Sequence, residues 1–179
     1  MKPSFTPDAD GTEAKEIATL IRGLGLMKHI EGGYFAEIDR NPLKIPNPFL
    51  PDPGSDDAGD ALVPGRTALI PRSGDDSARN ASTSIYYLIT PTTPTGHFHR
   101  NKGRTVHTLI RGRGTYVLIH ADEEGVGGKK RVESFVVGRD VEKGERMVWV
   151  VEGGKYKATF LLEGDGDGLL VSEVSVWFL

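Results

Sequence analysis

Residues 96–108 read GHFHRNKGRTVHT and hold three of the chain's five histidines. If TGHFH is extended, His97 and His99 share one face, because side chains alternate along a strand. On the next run Thr105, His107 and Leu109 share a face. Paired as a hairpin through RNKG, the two runs would turn all three imidazoles into one cavity. Three neutral imidazoles on a rigid sheet can bind Zn, Fe, Ni, Mn or Cu and leave positions for water or substrate. Without metal, the same groups can move protons near neutral pH or act as hydrogen-bonded pocket residues. His29 and His120 read as ordinary polar positions.

The elements that must position these residues are mostly strands. YFAEID, TALI, SIYYLIT, TGHFH, TVHTLI, GTYVLIHA, RVESFVV, RMVWVV, YKATFLLE and LLVSEVSVWF are short runs rich in β-branched and aromatic residues. Gly, Pro, Asp or Asn separates many of them, and strands so spaced indicate an all-β sandwich or barrel. One helix precedes them in TEAKEIATLIRGLGL. There Ile17, Leu20, Ile21 and Leu24 make one apolar stripe. Thr12 or Asp10 can cap its start, and Gly23 or Gly25 can end it. Residues 1–11 read as a flexible tail and 12–179 as a single domain. Within it, 41–80 is an insertion dense in Pro, Gly and Asp, either a mobile surface loop or a lid over a pocket mouth. TALI in its middle would be an edge strand.

Composition removes several functions. The chain has no cysteine, which excludes disulfides, cysteine zinc sites and a thiol nucleophile. Its formal net charge of -3 does not suit a nucleic-acid partner. The polar start MKPSFTPDADGTEAKE lacks an apolar signal core and no run spans a bilayer, so the expected location is cytoplasmic. Gly112 and Gly114 in RGRGTYVLI are followed by a strand-like run and read as a hairpin turn rather than a dinucleotide fingerprint.

The GHFH run followed by a strand ending in Gly resembles the first motif of the cupin superfamily, and GERMVWVVEGGKYKA resembles the second. Three blocks resemble more narrowly a small cupin family catalogued as a domain of unknown function. They are LGLMKHIEGGYFAEIDR, STSIYYLIT with GHFHR, and the GERMVWVVEGG turn. The resemblance implies an all-β double-stranded β-barrel of jelly-roll type with one N-terminal helix, a pocket inside it and a homodimer. That family is similar to sugar-nucleotide epimerases and seed-storage cupins. The superfamily's acidic metal ligand would fall near Thr105, its second-motif histidine on Tyr156 and the turn proline on Val151. A full four-ligand metal site is therefore absent. His97, His99 and His107 are the alternative metal set, with Zn, Fe, Ni or Mn, or no metal, as the cofactor.

The expected function is small-molecule binding, with an isomerase, epimerase, cyclase or lyase acting on a small oxygenated metabolite. His97, His99, His107 and Tyr156 are its candidate catalytic residues. Tyr34, Glu37 and Arg100 are its candidate substrate contacts, and one of Tyr86 and Tyr87 faces the interior. A non-catalytic binding protein and a metal-dependent oxygenase are the alternatives.

Overall fold

The structure, a computed structural model, describes residues 11–50, 77–125, 127–162 and 166–176. The N-terminal tail up to residue 10, TALI and the rest of 51–76 lie outside them. The helix α1 runs Lys15–Gly23 and is followed by twelve strands: β1 Met27–Lys28, β2 Tyr34–Arg40, β3 Lys44–Pro46, β4 Ala78–Asn80, β5 Ser82–Ile89, β6 Thr95–Arg100, β7 Arg104–Arg111, β8 Gly114–Ile119, β9 Val132–Val137, β10 Val148–Val151, β11 Tyr156–Leu161 and β12 Leu169–Val176. The protein is mostly β, and among the described residues every pairing between these strands is antiparallel.

Six strands form a large sheet in the order β1-β2-β5-β12-β7-β10, and four form a small sheet in the order β6-β11-β8-β9. The two ends of the 41–80 insertion pair with each other as β3 and β4. One apolar cluster joins the two main sheets: Tyr87, Leu109, Trp149 and Val171 come from the large sheet, and Tyr116, Leu118 and Leu161 from the small one. A second cluster lies on the other side of the large sheet. There Ile17 and its stripe partners Leu20, Ile21 and Leu24 pack on Tyr34, Leu88 and Leu170. The apolar stripe therefore does for α1 what its spacing predicts, burying one helical face on a sheet.

The start of α1 differs from expectation. Ala14 is the N-cap residue, and it has no side-chain capping hydrogen bond of its own. Glu13 turns away instead and accepts hydrogen bonds from Tyr34 (2.9 Å), Thr90 (2.7 Å) and Thr92. At the other end Gly25 adopts φ +63, and the Leu26 N–H reaches back to the Ile21 carbonyl at 2.9 Å, a glycine-ended helix terminus.

The two expected hairpins are not hairpins. β6 belongs to the small sheet and β7 to the large one, so Asn101–Gly103 is a corner between sheets. The Gly112 turn likewise carries the chain from β7 back to β8 in the small sheet. Gly112 sits at φ +82, and a Cβ there would meet the Gly168 carbonyl oxygen at 1.8 Å, so only glycine makes this corner. His99 and His107 thus approach each other from facing sheets.

Candidate functional site

β7 and β12 are neighbours in the large sheet, and their register sets His107 opposite Glu173. β11 and β6 are neighbours in the small sheet and set Lys157 opposite His99. Lys157, Thr159 and Leu161 alternate toward the other sheet, as do Glu173, Val171 and Leu169. The two pairs meet in the middle. Lys157 Nζ lies 2.7 Å from Glu173 Oε2 and 2.9 Å from His107 Nε2. His107 Nε2 is itself 3.3 Å from Glu173 Oε2 and 3.1 Å from the Tyr116 hydroxyl. The Trp149 indole stacks on the imidazole, with ring centres 5.0 Å apart and planes 11° from parallel. His107 and Lys157 are 0% and 1% exposed, so these two members of the network are out of water.

Burial pushes the His107 imidazole below its usual value; Glu173 pulls upward and Lys157 adds to the fall. Burial alone would raise the Glu173 carboxyl, but the Lys157 charge and its hydrogen bond hold it well below the usual carboxylate range. The network is therefore a Lys157–Glu173 ion pair against a neutral imidazole. Burial also raises the Tyr116 and Tyr87 phenols, so both stay protonated.

Glu173 also lines a cavity of about 260 Å³ with His29, Glu31, Thr83, Ile85, Tyr87, His99, Asn101 and Ser175. Its wall is built by the Glu31-Gly32-Gly33 turn. Gly32 and Gly33 adopt φ +92 and +68, and Cβ atoms there would meet Thr95 O at 2.1 Å and Leu88 O at 2.4 Å. The tight turn lets the Glu31 carbonyl accept from His97 N–H (2.6 Å) and the Gly32 carbonyl accept from the Tyr87 hydroxyl (2.9 Å). It sets the Glu31 carboxylate between two imidazoles, 3.3 Å from His99 Nδ1 and 3.7 Å from His29 Nδ1.

The tautomers of these imidazoles follow from their backbone partners. His99 Nδ1 lies 2.9 Å from the His97 carbonyl, which can only accept, so Nδ1 carries the proton and Nε2 keeps its lone pair. His29 Nδ1 accepts from the Glu31 N–H at 3.2 Å, so the neutral ring carries its proton on Nε2. Burial lowers both histidines; the Lys157 charge lowers His99 further, while Glu31 opposes that fall.

The sequence-derived candidates divide sharply. His99 lines the cavity and His107 lies beneath it. His97 does not join them: it is exposed on the outer side of β6. The cause is a bulge. Thr159 pairs with Gly96 and Lys157 with His99, so two steps on β11 span three on β6. Gly96 and His99 then face inward, with Tyr87 Oη 2.5 Å from where a Gly96 Cβ would be, and simple alternation fails. Tyr156 is also outside, under the Arg100 guanidinium at 5.3 Å, while its neighbour Lys157 takes the inward place. Tyr34 packs beneath α1 and donates to Glu13. Glu37 is exposed and pairs with Arg40. Phe35 is the β2 residue that reaches the interior, edge-on to His29 at 4.6 Å. Of the tyrosine pair, Tyr87 faces inward and Tyr86 packs against the helix side.

His29, Glu31, Lys157 and Glu173 were not among the candidates. Glu173 was detectable in principle, as a charge in step with Leu169 and Val171 on an alternating strand, whereas Lys157 shares its face with Thr159 and carries no such signal. His120 is no ordinary polar position either. It is 4% exposed, and His120, Asp122 and Glu123 place ligand-capable atoms within 4.8 Å of one another.

A metal on the three expected histidines does not fit, because His97 faces away and the Lys157 ammonium stands against His107 Nε2. The His120 group could hold a metal ion, but Lys155 reaches Asp122 at 2.7 Å and Arg131 reaches Glu123 at 2.7 Å. Among the described residues no helix is long and apolar enough to cross a membrane.

Two antiparallel sheets around an interior cavity with inward polar side chains define a cupin. The model of the family described as Cupin superfamily (DUF985) matches residues 18–176, and the chain belongs to that family. It is 42% identical over 159 residues to Uncharacterized protein YML079W of Saccharomyces cerevisiae, covering 88% of this chain and 68% of that one. A hypothetical protein from Leishmania major superimposes with a TM-score of 0.64 at 24% identity, over 92% of this chain and 81% of its own. Protein SO0799 from Shewanella oneidensis does so with 0.60 at 19% identity, over 100% and 81%. These two share the fold.

Proposed function

We propose that the cavity binds a small oxygenated metabolite and that the chain is an isomerase- or epimerase-like enzyme that moves a proton on it. The facing sheets are read as the two halves of a double-stranded β-barrel whose interior is this cavity. One observation carries the reading: His99 and His29 flank one carboxylate in opposite tautomers. His99 presents a lone pair on Nε2, and Glu31 stabilises the imidazolium that forms when it takes a proton. His29 presents an Nε2–H suited to the oxygen on which charge develops as an enolate forms. Asn101, Ser175 and Thr83 add hydrogen-bonding groups to the lining that suit hydroxyls on the ligand. The depressed His99 keeps the base unprotonated at neutral pH.

The test is deuterium wash-in by NMR with small hydroxyketones, aldoses and 2-keto acids in D2O. Catalysed exchange at the carbon next to the carbonyl is expected. His99→Asn should slow it by about 100-fold or more, and Glu31→Gln by less. Saturable binding of these compounds with no exchange in any of them would leave a binding protein and sink the enzyme reading.

A further inference from the structure

We propose that Lys157 is the resident cation of the interior site: its ammonium takes the place between His107 Nε2 and Glu173 Oε2 that a divalent metal would fill, so the site works without metal and becomes a metal site only when this side chain is removed. This inference stands apart from the proton-transfer reading, which uses Glu31, His29 and His99.

Three observations carry it. The first is spacing. Two ligand atoms bound tetrahedrally at about 2.05 Å from one ion lie roughly 3.3 Å apart, and His107 Nε2 and Glu173 Oε2 are 3.3 Å apart. A nitrogen and a carboxylate oxygen are thus already set as one edge of a coordination shell. The second is the occupant. Lys157 Nζ touches both atoms, at 2.9 and 2.7 Å, and an ion bonded to either would collide with it. The third is bracing. The imidazole is held by Trp149 stacking and the Tyr116 hydroxyl, so it cannot swing its ring away to serve a second cation. Charge agrees with geometry. One ammonium against one carboxylate is neutral, whereas a dication added beside Lys157 would set three positive charges against one negative charge out of water.

The register explains why a lysine can do this. β11 faces β7 and β12 across the interior, and Lys157 is the inward residue of β11 nearest the His107–Glu173 pair. Its stem spans the apolar gap, and its head delivers the charge. With the side chain truncated, His107 and Glu173 remain. His99, paired opposite Lys157 and reached by its charge, is a further nitrogen on the same side of the small sheet.

The experiment titrates Zn²⁺ into metal-free wild-type protein and into Lys157→Ala, following histidine imidazole resonances and thermal stability. In wild type, one equivalent of Zn²⁺ should leave the His107 signals unmoved, and a chelator should not change Tm. Any Zn²⁺ taken by His120, Asp122 and Glu123 moves the His120 signals instead. Lys157→Ala should take one Zn²⁺ at His107 at least about 100-fold more tightly than wild type does, with Tm rising, and Lys157→Ala/His107→Ala should lose it. If Lys157→Ala does not fold alone, Zn²⁺ or propylammonium should restore the folded circular dichroism spectrum. Wild-type His107 signals that shift with stoichiometric Zn²⁺ overturn the proposal. So does a Lys157→Ala chain, folded or not, that neither Zn²⁺ nor propylammonium stabilises.

Discussion

The molecule holds two clusters made of the same parts in different solvents. Inside, His107, Glu173 and Lys157 meet between the sheets. At the far end of β8, His120 meets Glu123, Glu133 and Arg131, and Lys155 joins them through Glu123. The outer cluster has several carboxylates sharing several cations. The Arg131 hydrogen bonds hold Glu123 at about 2. Each charged group there has a second partner, so losing one contact costs little. The inner cluster has one carboxylate and one ammonium, and among the described residues each is the other's only opposite charge; Glu173 alone keeps an edge on the cavity. Equal chemistry therefore gives a redundant surface network in one place and an all-or-none unit in the other.

The largest test of that contrast is Lys157→Met, which leaves Glu173 charged and buried without its partner. It should cost about 3–5 kcal/mol in urea unfolding. Lys157→Met/Glu173→Gln should recover at least half, since removing both charges removes the penalty. If Lys157→Met alone is neutral, the inner network is not the closed unit described above. Next is the cavity wall. Gly32→Ala places a Cβ against the Thr95 carbonyl at positive φ and should cost roughly 2 kcal/mol. It should also weaken ligand binding through the displaced Glu31.

Acid should separate the clusters by pH window. His29, His99 and His107 are all depressed from 6.5, so the folded state binds their protons less readily than the unfolded chain. Their contribution is full above 6.5 and is lost as pH falls below it, through the lower folded values. Glu173 and Glu123 are depressed from 4.5, and their contribution is lost only as pH drops further. Urea midpoints should thus already fall between pH 6.5 and 5, and His107→Gln should flatten that part of the curve. A flat wild-type profile there contradicts the neutral buried imidazole. The smallest effect belongs to the outer cluster. Arg131→Ala should move Tm by no more than about 2 °C, and by still less in 0.5 M salt.

Much of the fold was legible because strands advertise themselves by period. YFAEID, SIYYLIT, GTYVLIHA and RVESFVV all lie on strands within a residue or two of their ends, and the α1 stripe buries as spaced. The family blocks were legible too, and Glu31 sits in the first of them, LGLMKHIEGGYFAEIDR. The site was harder. Alternation from His99 turns His97 inward, and the β6 bulge breaks that alternation; the resemblance sets the second-motif histidine on Tyr156, one residue away from the inward Lys157. A bulge and a register shift each reverse which face a residue occupies, and neither leaves a mark in a single strand's composition.

From its residue order alone this chain is committed to an N-terminal amphipathic helix, a run of short strands, a glycine turn at Gly112 and no cysteine chemistry. Those properties are local, set by side-chain period and by backbone angles that only glycine adopts. Tertiary structure decided that β6 and β7 belong to different sheets, so that His99 and His107 approach from opposite sides. It also set Lys157 from one sheet between His107 and Glu173 of the other. Long-range register made that choice, because the three residues are brought together by pairings between strands far apart in the chain.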